Sequence, residues 1–131
     1  YTECYINLNL SAYNNQDINY FFSVEDIARN KDESRPILVK VDTTSPVINS
    51  INTNVRSRSV ELIISVTETN LDEIVYIDTT DPRSRERVLC TSLRNGTCIR
   101  RISLSSGNHN LLIIARDEAG NSAQQNIPIS V

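Results

Sequence analysis

Three cysteines, one histidine and several groups of carboxylates are the side chains here best suited to chemistry. Cys90 and Cys98 bracket TSLRNGT. Two thiols this close in sequence would close a short hairpin with Asn95-Gly96 as its turn, a staple of about 2 to 3 kcal/mol in the chain-entropy picture. The competing reading is a set of buried free thiols in a reducing compartment. A structural zinc site asks for closely paired ligands, and no C-x-x-C accompanies His109. His109 falls in SGNHNLL, read as a loop between strands, which predicts a solvated ring. Acidic side chains gather in TETNLDE (Glu68, Asp72, Glu73), in DTTD (Asp78, Asp81) and at Asp42. Such oxygens suit Ca²⁺, but the spacing is not that of an EF-hand, and solvated carboxylates are the favoured reading. There is no G-x-S-x-G, and the three glycines (Gly96, Gly107, Gly120) make no phosphate-cradling loop. No catalytic, cofactor-binding or metal residue is therefore assigned. Asn9-Leu10-Ser11 and Asn95-Gly96-Thr97 are N-glycosylation sequons, so Asn9 and Asn95 are candidate modification sites.

The elements that would carry these residues have a period of two. CYINLNL alternates Cys4, Ile6, Leu8 and Leu10, and SVELIISV sets Val60, Leu62, Ile64 and Val66 on one face. EIVYI, CIRRISL, NLLIIAR and NIPISV continue the alternation, which marks strands buried on one side. The clusters NTN, TETN, TTDPRS, RNGT, SSGNHN and EAGNSA read as turns. No helix is predicted, and EDIARNKDE is read as a loop. Strands recurring every 10 to 14 residues or so predict an all-β sandwich. Trp and Met are absent and aromatic residues make up 5%, so Leu, Ile and Val must supply the core. The net charge of -3 argues against a nucleic-acid or anionic-membrane partner. Of the 13 basic residues only Lys31 and Lys40 are lysines, and the arginines at 83, 85, 87, 100 and 101 read as exposed charges, with anion binding as the lesser alternative. No apolar run reaches the roughly 18 residues of a membrane helix, and no signal-peptide pattern opens the chain.

The chain also repeats itself. Asp26, Ala28 and Asn30 of EDIARN match Asp117, Ala119 and Asn121 of DEAGN, 91 positions on. Upstream, TECYINLNLS matches GTCIRRISLS 94 positions on, placing Cys4 on Cys98. Matches in fixed order across three strands signal tandem units. Residues 1–41 thus read as the last three strands of an incomplete domain, whether truncated or completed by another chain. Residues 42–46 read as a semi-rigid linker around Pro46, and residues 47–131 as a complete domain. The partner of Cys4 is then expected outside these 131 residues.

VDTTSP followed some 70 residues later by DEAGN resembles the tandem Ig-like and fibronectin-type-III-like repeats of bacterial and archaeal surface proteins. Asp42, Thr43, Thr44 and Pro46 carry the linker motif, and Asp117, Ala119, Gly120 and Asn121 carry the turn. The resemblance implies an Ig-like antiparallel β-sandwich preceded by the C-terminal part of another. It implies a non-catalytic structural or adhesive module of an extracellular surface protein or filament. Its partners would be neighbouring Ig-like domains or strands donated by an adjacent chain. An accessory ligand-binding domain of a secreted enzyme is the alternative. Arg29 replaces the turn glycine in the first copy, which either strains the same turn or forces a different loop.

Overall fold

The computed structural model describes residues 5–131, which form two units divided between Thr44 and Ser45. In the first unit a 3-10 turn at Ser11–Tyr13 leads to β1 (Asp17–Tyr20), β2 (Ser23–Glu25), β3 (Lys31–Glu33) and β4 (Ile37–Lys40). β1 pairs antiparallel with β4, and β2 with β3. Together they make one two-stranded ribbon that steps at Phe21-Phe22 and Ser34–Pro36. At the step the Phe22 amide donates to Ser34 Oγ at 2.9 Å, and the Ser34 amide donates to the Phe22 carbonyl at 2.8 Å.

The first of the three strands expected in this unit does not form. Residues 5–10 adopt no strand, and Tyr5, Ile6 and Leu8 are exposed. An alternating sequence is only half of a strand. The other half is a ladder partner for its amides and carbonyls, and no strand of either unit pairs with residues 6–10 among those described.

The second unit contains β5 (Val47–Arg56), β6 (Ser59–Thr67), β7 (Leu71–Asp78), β8 (Arg87–Cys90), β9 (Thr97–Ser103), β10 (Asn108–Asp117) and β11 (Ser122–Ser130). Two antiparallel sheets face each other, one ordered β5-β6-β9 and the other β11-β10-β7-β8. Alternation alone explains the layering. Val60, Leu62, Ile64 and Val66 of β6 point inward at 0–2% exposure, and meet Ile74, Leu111, Ile113 and Ala115 of the opposite sheet. Leu89, Ile102, Ile127 and Ile129 complete the core.

The NTN cluster, expected to be a turn, lies inside β5. Asn52, Thr53 and Asn54 pair with Ile63, Leu62 and Glu61 of β6. The chain reverses instead around Ser57, which takes φ 54°. β5 is an edge strand paired on one side only, so polar residues cost it little.

Candidate functional site: a repeated turn and an uncovered face

Residues 26–30 and 117–121 fold into the same turn. In the second unit the Asn121 amide donates to Asp117 Oδ1 at 2.8 Å, and Asn121 Nδ2 donates to Oδ2 at 2.8 Å. In the first unit the Asn30 amide donates to Asp26 Oδ1 at 2.9 Å, and Asn30 Nδ2 donates to Oδ2 at 2.7 Å. The backbones agree as well. Asp117 N donates to Asn121 O at 3.1 Å and Gly120 N to Asp117 O at 3.2 Å, while Asp26 N donates to Asn30 O at 3.0 Å and Arg29 N to Asp26 O at 2.9 Å. One Asp and one Asn thus satisfy the turn from their own side chains. The side-chain and backbone hydrogen bonds from Asn30 hold the Asp26 carboxyl below its ordinary pKa.

The fourth turn position needs a left-handed backbone. Gly120 takes φ 89° and Arg29 takes φ 66°. The strained form of the turn, with Arg29 in the glycine's place, is therefore the one adopted. The signal that found the repeat was the Asp-x-Ala-x-Asn spacing, and it locates the hydrogen-bonding pair directly.

The likeness extends along the strands. β10 pairs with β11 from Asn108↔Ser130 to Arg116↔Ser122. Counted from the turn, Glu25↔Lys31, Val24↔Asp32 and Ser23↔Glu33 stand where Arg116↔Ser122, Ala115↔Ala123 and Ile114↔Gln124 stand. Past the step, Tyr20↔Ile37, Asn19↔Leu38, Ile18↔Val39 and Asp17↔Lys40 match Leu111↔Ile127, Asn110↔Pro128, His109↔Ile129 and Asn108↔Ser130. One additional residue in the Ser34–Pro36 segment accounts for the step.

What differs is burial. Leu111, Ile113 and Ala115 are fully buried, and Ile127 and Ile129 nearly so. Their counterparts Tyr20, Phe22, Val24, Ile37 and Val39 are exposed by 36% to 67%. Tyr20 and Phe22 meet edge to face at 5.8 Å.

The disulfide joins Cys90 to Cys98, with Cα atoms 6.0 Å apart. It is not a staple within one hairpin, as the loop length suggested. β8 belongs to the four-stranded sheet and β9 to the three-stranded one, so the bond ties the two layers together. Asn95-Gly96 does make a tight turn, closed by the Arg94↔Thr97 bridge, with φ 50° and 72°. A cleft of about 500 Å³ opens between β8 and β9 beside the disulfide. Arg94 and Arg100 line it along with Val88 and Ile99, and neither arginine pairs with a carboxylate among the described residues. Cys4 lies outside the described residues. Asn9 and Asn95 are both exposed, and Asn9 Oδ1 accepts the Ser11 amide at 3.0 Å. Asp42 accepts the Thr44 amide at 3.0 Å, and Pro46 is buried.

His109 is not the solvated loop residue that its glycine-rich surroundings predict. It lies in β10 with its side chain only 10% exposed. Nδ1 is 2.6 Å from Asp78 Oδ2 and Nε2 is 2.9 Å from the Ser105 carbonyl. Two acceptors on two ring nitrogens call for the doubly protonated ring. The hydrogen bond to Asp78 and that to Ser105 raise the His109 pKa against the opposing effect of burial. Burial pushes the Asp78 carboxyl up, but the Thr80 hydroxyl and amide together with His109 outweigh it and leave the pKa lowered. The pair pins the end of β7 to the start of β10. With both nitrogens engaged, His109 is a structural clamp.

Protein-family models match no part of this chain, and no curated protein matches it. Among the described residues no helix is long and apolar enough to cross a membrane.

Proposed function

We propose that this chain is a non-catalytic structural or adhesive module from an exported, extracellular protein of a bacterium or archaeon, built of tandem Ig-like sandwiches. The observation that carries the reading is the turn made twice, at Asp26–Asn30 and at Asp117–Asn121, each at the tip of a hairpin with the same pairing. Two copies of one hairpin in one chain are what a tandem array contains. The seven strands of the second unit support it. Their division into sheets of three and four, with β8 on the edge of β7 rather than beside β9, is compatible with an Ig-like sandwich. The Cys90–Cys98 bond supports export, since such bonds persist in oxidising compartments. In that setting Asn9 and Asn95 are accessible to glycosylation, and neighbouring modules, in the same or an adjacent chain, are the partners. Force spectroscopy on concatenated copies of the chain tests the mechanical role. The second unit should yield in one cooperative step. Reduction should lengthen that step by about 21 Å, the reach of the 8-residue separation at roughly 3.4 Å per residue less the 6.0 Å that the bond already spans. Unfolding in many small steps with no resisting unit would refute it.

The cleft beside the disulfide favours a second reading, an accessory ligand-binding domain of a secreted enzyme. Arg94 and Arg100 suit an acidic ligand. Calorimetry with polygalacturonate, giving heat that Arg94→Ala and Arg100→Ala remove, would select this reading. No heat would leave the first.

A further inference from the structure

We propose that the apolar face of the residue 17–40 hairpin is a docking surface for four antiparallel strands of the β5–β8 kind. They would lie ahead of it in the same polypeptide, and close a second sandwich around it. The inference rests on the tandem reading above and names the partner that this reading requires.

The face is defined by register. Ile18↔Val39 and Tyr20↔Ile37 are paired positions, and Phe22 and Val24 continue the same side by alternation, with Asp32 opposite Val24 as the charged residue at its tip. The other side carries Asp17, Asn19, Ser23, Glu25 and Lys40, interrupted by Phe21 and Leu38. A two-stranded ribbon with one apolar face is marginal in water and needs a further layer.

What that layer is can be read from the second unit. There the counterparts Leu111, Ile113, Ala115, Ile127 and Ile129 are covered by side chains of β6 and β7, with Leu89 of β8 and Ile102 of β9. The far edge of β10 pairs with β7, Leu111↔Asp78 through Arg116↔Glu73. The corresponding edge of β1 and β2 has no strand beside it among the described residues. A β7-like strand therefore fits that edge, and a β6-like strand fits over the face.

The sequence of a fifth strand is already present. Residues 5–10 repeat the sequence of β9, with Leu8 on Ile102 and Leu10 on Leu104. They lack a strand because β9 itself forms only against β6. Since the β9 copy precedes its hairpin in the same order as in the second unit, the covering strands belong on its N-terminal side.

The test extends the chain, from Cys4 to Val131, by a second copy of residues 47–97 placed directly before Cys4. Hydrogen exchange at Tyr20, Phe22, Val24, Ile37 and Val39 should slow by about 100-fold or more as the hairpin joins a cooperative unit. Binding of a hydrophobic dye should fall to the level of a closed sandwich. Cys4 should pair with the added copy of Cys90, leaving no free thiol. Tyr20 and Phe22 are larger than Leu111 and Ile113, so a second extended chain carries Tyr20→Leu, Phe22→Ile and Val24→Ala, restoring the β10 face. Protection in either extended chain supports the proposal. Exchange and dye binding unchanged in both overturn it. So would a dimer of the unextended chain with these amides already protected, because the cover would then be a second copy. Failure here with a single resisting step under force would refute the docking surface and leave the structural module intact.

Discussion

Arg29 and Gly120 occupy the same position of the same turn, at φ 66° and φ 89°. A Cβ on Gly120 would meet no atom within 4 Å, so the demand on this position is conformational and not steric. A non-glycine residue in the left-handed region costs about 1 kcal/mol. Gly120→Ala should therefore lower the stability of the second unit by about 1 kcal/mol in urea denaturation. Arg29→Gly should tighten the first turn, seen as slower exchange of the Arg29 and Asn30 amides. A neutral Gly120→Ala would mean that the backbone rearranges without cost.

Phe22 and Ile113 are counterparts in sequence and differ in surroundings. Ile113 is fully buried, so Ile113→Ala should cost about 2 to 5 kcal/mol from lost burial and the cavity left behind. Phe22 is 53% exposed, and Phe22→Ala should change the stability of the second unit in urea denaturation by less than about 0.5 kcal/mol. It should reduce hydrophobic-dye fluorescence at the same time. A large loss of stability from Phe22→Ala would show that the face is already packed.

The Cys90–Cys98 bond ties the sheets across a separation of 8 residues. Replacing both cysteines by serine should destabilise the second unit by about 2 to 3 kcal/mol. Thiol titration of the denatured, unreduced chain should find one reactive thiol, that of Cys4. Three thiols would contradict the bond.

His109 and Asp78 make stability depend on pH from both sides. A histidine whose pKa is raised on folding gives stability that is whole below its ordinary 6.5 and is lost as pH climbs through the raised value. An aspartate whose pKa is lowered gives stability that is whole above 3.8 and is lost as pH falls through the lowered value. The contribution of the pair should be complete between roughly pH 4 and 6.5. The urea midpoint should then decline from pH 6.5 to 9, and His109→Gln should flatten that decline. An unchanged slope in the variant would assign the dependence elsewhere.

Much of this was legible in the residues. The alternation of Val60, Leu62, Ile64 and Val66, and of Ile127 and Ile129, placed the core-facing positions, because one buried face forces a period of two. Asp117 and Asn121 were legible because a turn that satisfies itself needs those two side chains at that spacing. His109 was not, because neither its strand nor its neighbour Asp78, 31 positions away, can be inferred from local composition. NTN misled for the converse reason, since the C-terminal half of this edge strand is exposed on both sides and tolerates turn-forming residues. Residues 5–10 have the pattern of a strand without its partner, and pairing, which sequence pattern does not encode, decides the outcome. The disulfide was legible as a pair and not as a link between sheets, because the crossing of the chain between β8 and β9 is a matter of topology.

Site-resolved amide hydrogen exchange on the unmodified chain tests most directly whether residues 17–40 are a hairpin awaiting its cover. Leu62 and Ile113 should exchange only through global unfolding, while Ile18, Tyr20, Val24 and Val39 should exchange within about tenfold of unstructured rates. Protection at those four positions equal to that of Ile113 would contradict the account.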